Sequence, residues 1–353
     1  MNHWQNGGEA PPSADHIYVN GYGFVTEDPW QRENRDIWKN SAIVGILLIC
    51  ILAVPALCSY PVQVLLSFFL APFAYFANDT YAAAELQALY IQLRALLLYA
   101  ASMLFPLLLA AALLRPKRRR SPSFFRRPSP HVLSCGVGIT MASWILFYLS
   151  GELLSDGLLQ LGVLTLSPDT SIPAAPAAVF VYLIRMLLPA LLEELLFRGY
   201  ILRSMRQFGD SFAIVASSVA FGLIHYTYLR DLRAFALGMV LAYFVIRSGS
   251  LWTAVAARLS CILLGLALDC LPRLFPGEMS SLFGNFLMLA VLAAGLLCFV
   301  LFCRTEGNPF VLSSGHTATR ISRKLARFFG NAFLILAILL WVIQAAGYLQ
   351  FIG

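Results

Sequence analysis

The chain has 353 residues, of which 59% are hydrophobic and only 12% charged. That balance excludes an ordinary soluble domain and points to a polytopic membrane protein. The net charge of +7 does not indicate nucleic-acid binding, because most basic residues cluster beside apolar runs, where Lys and Arg set membrane orientation.

Taken in chain order, residues 1–37 are polar and rich in Gly, Pro and Asn, without the basic-then-apolar opening of a cleavable signal peptide. They are expected to form a flexible cytoplasmic tail. A spanning helix needs roughly 20 mostly apolar residues. Runs that meet this are 40–59, 86–114, 132–153, 176–200, 211–228, 232–248, 250–272, 281–303 and 329–351. The stretch 61–76 is either a short interfacial or re-entrant piece, or an extension of its neighbours. The predicted fold is therefore an all-α, polytopic transmembrane helical bundle of about 8–9 spans. Its parts are the tail, N-terminal spans with a basic loop (38–129), a membrane core (130–272) and C-terminal spans (273–353).

Charge tests that arrangement. The segment "RPKRRRSPSFFRR" at 115–127 holds seven basic residues and no acid, so it belongs in the cytoplasm. Met1 then lies inside, and Arg203, Arg206, Arg247 and the basic stretch from Arg304 to Arg327 fall on the same side. The seven cysteines form no CxxC pattern and mostly fall in apolar runs, where Cys acts as a small hydrophobe.

The ionisable residues inside the expected spans include Arg94, Arg185, Glu193, Glu194, Arg198, His225, Arg258 and Asp269. A charge near the bilayer centre costs about 2.5–3.5 kcal/mol, so such residues turn inward and find partners. Arg94, Arg185 and Asp269 are near enough to span ends to snorkel. Glu193 and Glu194 are adjacent and project onto neighbouring helix faces. Glu194 and Arg198, four apart with the acid first, stack on one face, which leaves Glu193 free to address another helix. Pro189, four residues earlier, removes a backbone donor and is expected to bend the helix. Phe221 and His225 also share a face. A lone intramembrane His is more often an interhelical hydrogen bonder than a catalyst. Beside a free carboxylate, however, it can hold and deprotonate a water.

"EELLFRG" (193–199), then "FGLIH" (221–225), then "RSGSLWTAVAA" (247–257) resemble the CAAX protease and bacteriocin-processing family of intramembrane endopeptidases. The similarity covers roughly 130–272, and the EExxxR and FxxxH motifs match in full. It implies that Glu193 and His225 activate the attacking water while Glu194 and Arg198 brace the helix, with Phe221 beside His225. The resemblance also implies a bacterial plasma membrane and a peptide or membrane-protein substrate, with the lipid bilayer as the other partner. The third family motif, a histidine with asparagine or aspartate four residues on, is altered. Arg258 and Ile262 stand at those positions, and Arg258 becomes a candidate oxyanion donor. A catalytic zinc site usually takes three protein ligands. Glu193, His225 and Glu194 would be an unusual set, so no metal cofactor is expected, zinc being the ion to test.

Three functions compete. The first is an endopeptidase using glutamate-activated water. The second is a catalytically lapsed pseudoprotease that binds a peptide or serves bacteriocin immunity. A transporter is weakest, since there is no internal repeat or second acidic cluster. The enzyme reading requires Glu193 and His225 to face each other in a water-accessible cavity, hydrogen-bonded directly or through one water. Counting about 12 Å of depth for Arg258 and about 15 Å for Glu193 at 1.5 Å per residue, Arg258 should point at Glu193 or Glu194.

Overall fold

A computed structural model describes residues 16–19, 23–26, 29–76, 80–114, 126–166, 172–225, 227–305, 311–312 and 319–351. Residues 1–15 and most of the basic segment 115–127 lie outside the described residues. Within the stretch expected as a tail, β1 (His16–Val19) and β2 (Gly23–Thr26) pair as an antiparallel hairpin, and α1 (Pro29–Phe76) follows. The ambiguous run 61–76 is the end of α1, which carries Pro55, Pro61 and Pro72 within it. At 1.5 Å per residue α1 is about 70 Å long, well beyond the ~30 Å of a bilayer's hydrocarbon.

Next come α2 (Thr80–Leu113), α3 (Pro130–Gln160) and the short β3 (Val163–Thr165). Ser129 starts α3 by accepting a hydrogen bond from Val132 N at 3.3 Å, with Pro130 in the first turn, where its missing N–H costs nothing. α4 (Pro176–Glu194) passes into a π-helix (Leu195–Leu202), then α5 (Arg203–Met205) and a 3-10 turn (Arg206–Phe208). Gly209, at φ 108°, takes a conformation closed to other residues and turns the chain into α6 (Asp210–Gly222).

α7 (Tyr228–Ser248) ends at Gly249 in the left-handed region, a common helix stop. Ser250 then caps α8 (Leu251–Leu274) by accepting from Trp252 N. α9 (Glu278–Thr305), α10 (Ile321–Phe329), α11 (Ala332–Ala346) and β4 (Leu349–Phe351) complete the chain, with β4 antiparallel to β3.

The chain is an all-α, multi-pass membrane bundle. Among the described residues, five helices are long and apolar enough to cross a membrane: α1, α2, α3, α8 and α9. The pair α10–α11, bent by 69°, makes a sixth if it counts as one broken span. Burial runs opposite to that of a soluble protein on the outer helices. Phe68, Leu108 and Phe286 are more than 70% exposed, as lipid-facing residues would be. At the centre, the π-helix and α6 supply Leu196, Phe197, Ile201, Phe212 and Phe221, all within 1% of complete burial. α6 packs on α7 and the π-helix, α2 and α8 on α4, and α3 on α7, α8 and α9. Glycine permits the closest of these approaches. A Cβ on Gly295 of α9 would collide with Ala142 and Gly138 of α3, the small-residue packing that holds membrane helices together without hydrophobic force.

Candidate active site

The site begins at the end of α4. Glu193 is 5% exposed and Glu194 fully buried. α4 runs unbroken through Pro189, and the change of helix type comes after Glu194. π-turns insert a residue into the α-helical ladder and recur at functional sites. Here the π-helix carries Arg198.

Arg198 and Glu194 form a two-point pair. Nε lies 3.2 Å from Oε2, and Nη1 donates to Oε1 at 3.3 Å, with both side chains fully buried. The remaining nitrogen, Nη2, donates to Gly238 O on α7 at 3.2 Å. The guanidinium carbon stands 4.3 Å from the centroid of the Phe221 ring. Gly238 permits this: a Cβ there would lie 3.3 Å from Arg198 Nη2 and 3.2 Å from both Phe221 and Ser218. The intrahelical pair is thus tied to α6 and α7, as a buried charge must be to repay its desolvation.

Glu193 turns the other way. Its Oε2 accepts from Arg258 Nη2 on α8 at 3.1 Å, and its Oε1 accepts from the Tyr99 hydroxyl on α2 at 3.2 Å. The similar depths of Glu193 and Arg258 do bring them together. Arg258 also sits over Phe221, at 5.0 Å, so one ring serves both arginines. Such contacts suit the face of an aromatic ring toward a cation.

His225 is not a hydrogen-bond partner of Glu193. Its Nδ1 is 3.1 Å from Phe221 O, and its ring meets the Phe221 ring edge-on at 5.2 Å. A carbonyl only accepts, so Nδ1 carries the proton, and in the neutral ring Nε2 is the proton-accepting atom. His225 and Arg258 line the same cavity of about 280 Å³, walled by Trp144 and Tyr148 of α3 and by Arg233 and Leu237 of α7. Arg258 is therefore the link between the two residues: it belongs to the cavity wall and it holds the carboxylate.

Ile262, where the family motif has asparagine or aspartate, is half-buried and brings no polar atom to α8. Arg94 donates to Ser59 of α1 at 2.8 Å, so it binds a neighbouring helix. Arg185 stands over Tyr182 at 5.4 Å, and Asp269 is exposed. Among the described residues, no three His, Cys, Asp or Glu side chains converge as a metal-ligand set.

Tyr99, Arg233 and Gly238 were not picked out from sequence. A tyrosine in an apolar helix is ordinary near a membrane surface, and Tyr99 lies outside the stretch that carries the motifs. Arg233 lies one residue into its expected span, where a basic residue reads as a topology signal. Nothing in the pattern around Gly238 marks it as an acceptor for Arg198.

A family model described as "Type II CAAX prenyl endopeptidase Rce1-like" matches residues 175–264, from the start of α4 into α8 and about a quarter of the chain. It agrees with the resemblance carried by the EExxxR and FxxxH motifs. No curated protein and no solved structure matches the chain.

Proposed function

We propose that this protein is an intramembrane endopeptidase of the CAAX-protease-like type. Glu193 and His225 activate a water, and Glu194–Arg198 brace the helix that presents Glu193. Arg258 faces the developing oxyanion from the position where the family motif has histidine. The observation that carries this reading is Arg258, whose guanidinium joins the buried Glu193 to the cavity lined by His225. A peptide bond in that cavity would lie beside a fixed cation, a proton-accepting imidazole and a carboxylate. Water would add through oxygen to the carbonyl carbon while its proton passes to the base. The C–N bond would then break and the amine leave with that proton. The match to an endopeptidase family over these same helices supports the assignment.

The Arg258–Glu193 contact itself favours a second reading. At 3.1 Å there is no room for a water or a carbonyl between them, and Tyr99 takes the other oxygen. A site permanently closed in this way would bind a peptide without cutting it. One experiment separates the two. The purified protein and Glu193→Ala are incubated with a peptide library and scored for cleavage. Cutting by the parent alone, with both proteins folded, supports the enzyme. A silent parent that gains activity as Arg258→His with Ile262→Asn supports the lapsed protease.

A further inference from the structure

Two counts along the chain fix how much of α1 and α2 a bilayer can cover. On α1 the charges stop at Lys39, and none occurs from 40 to 78. At 1.5 Å per residue the ~30 Å of hydrocarbon is crossed after roughly 20 residues, near Ser59. On α2 the same length counted back from Leu114 ends near Arg94, the first charge met in that direction. These two residues touch: Arg94 donates to Ser59 at 2.8 Å, so both counts end at one level. Yet α1 continues to Phe76, and α2 begins at Thr80. About 25 Å of α1 and about 20 Å of α2 therefore stand beyond the bilayer. Even a tilt of ~40° would draw only about six further residues into lipid. Leu108 has hydrocarbon to face, but Phe68, equally exposed, lies past its edge.

We propose that the projecting part of α1 binds a second copy of this chain, the two pairs of arms forming a twofold helical contact outside the bilayer. The outward face of α1 carries two neighbouring rows at i, i+4 spacing: Tyr60, Val64 and Phe68, and beside them Leu65, Phe69 and Phe73. Such rows are the ridges that enter the grooves of a like helix crossing at about 50°. A surface of two ridges and the groove between them is complementary to itself, as a twofold contact requires. The six side chains are each 50–75% exposed. Together they show roughly 700 Å² of apolar surface, close to the ~800 Å² that each partner gives to a standard interface. A patch of that size in water is the mark of an interaction site. With no charge from 40 to 78, it offers a charged partner nothing to pair with. α1 is one unbroken helix from Pro29 to Phe76, and laying the arm along the membrane surface would take a bend near a right angle. Between the arms, Ser67, Ala71, Ala83 and Gln87 help to wall a cavity of about 360 Å³, enough to receive an aromatic ring of the other copy. The proposal is independent of the endopeptidase reading, since none of these residues belongs to its site.

The test uses full-length protein in phosphatidylcholine liposomes, with the photoreactive p-benzoylphenylalanine in place of Phe68 or, as a control within the hydrocarbon, of Leu108. Irradiation at Phe68 should give a covalent dimer whose attachment lies within residues 60–73 of the other copy, while Leu108 should give lipid adducts. Adding Val64→Glu with Phe69→Glu, one charge in each ridge, should lower the dimer yield about tenfold or more at the same protein-to-lipid ratio. Both positions are exposed, so the thermal midpoint should hold. Lipid adducts at Phe68 would show that the arm lies in the leaflet and overturn the proposal. So would a lack of any adduct, or a dimer yield untouched by the two charges. Attachment to a different protein in native membranes, in place of the dimer, would overturn it as well. If the charged variant does not fold, the attachment point decides alone: within 60–73 it supports the contact, elsewhere it overturns it.

Discussion

Arg198 spends every nitrogen of its guanidinium on the interior, two on Glu194 of its own helix and one on Gly238 O of α7. The pair is fully buried, so removing one member strands the other. Arg198→Ala should cost about 3–5 kcal/mol and lower the thermal midpoint in detergent by many degrees. The double replacement Glu194→Gln with Arg198→Met, which leaves no buried charge, should recover much of that loss. An additive double mutant would show that the two residues do not act as a pair.

Tyr99 should matter to Glu193 without holding the fold. Tyr99→Phe keeps the ring and removes only the hydroxyl that donates to Oε1 at 3.2 Å. The cost in stability should be about 1 kcal/mol or less, the net worth of one such bond. Turnover of any library peptide should fall several-fold with KM nearly unchanged, because a carboxylate free to rotate loses its aim. An equal fall in stability and activity would make Tyr99 a packing residue only.

Gly238 is predicted to resist any side chain that adds more than a methyl. A Cβ there already crowds Arg198, Phe221 and Ser218 at 3.2–3.3 Å. Gly238→Ala should be mildly destabilising, and Gly238→Leu should displace the guanidinium and cost about 1–3 kcal/mol or more. Thermal unfolding of the two variants side by side measures this, and a stable Gly238→Leu would contradict the packing described.

A second buried charge joins the two ends of the chain. Lys324 Nζ of α10 donates to Phe208 O at 2.5 Å and pairs with Glu33 Oε1 of α1 at 3.0 Å, while Thr319 donates to Glu33 Oε2 at 2.8 Å. Lys324→Ala should loosen α10 from α1, seen as faster proteolysis after Arg320 or Arg323, with a loss of about 2–4 kcal/mol. Unchanged proteolysis would show that packing of Phe328, which is fully buried, holds α10 by itself.

Much of this was legible in the sequence, for reasons that particular residues make plain. Apolar length identified the membrane bundle, and helical spacing paired Glu194 with Arg198 across one turn. Counting depth brought Arg258 to Glu193. The extension of α1 through Pro61 and Pro72 was not decidable, because a proline removes one donor but long membrane helices tolerate it. The π-helix after Glu194 left no signature in the residue pattern, although it is the segment that packs on α6 and α7. A Glu193–His225 hydrogen bond, direct or through one water, was the natural expectation for two polar residues on consecutive helices, and the direct form is not the one made. Arg258, a longer and permanently charged side chain, reaches the carboxylate instead. Tyr99 could be found only from tertiary structure, for it comes from α2, some ninety residues away in sequence.

The central claim is that Glu193 is the base of a peptidase whose missing histidine is replaced by Arg258. The most direct measurement is the cleavage rate of one identified library peptide by the wild type, Glu193→Ala and Arg258→Ala, each shown to be folded. The account predicts cutting by the wild type and a loss of about a hundredfold or more in both variants, the scale expected when a base or an oxyanion donor is removed. Cleavage by Glu193→Ala at the wild-type rate would contradict it.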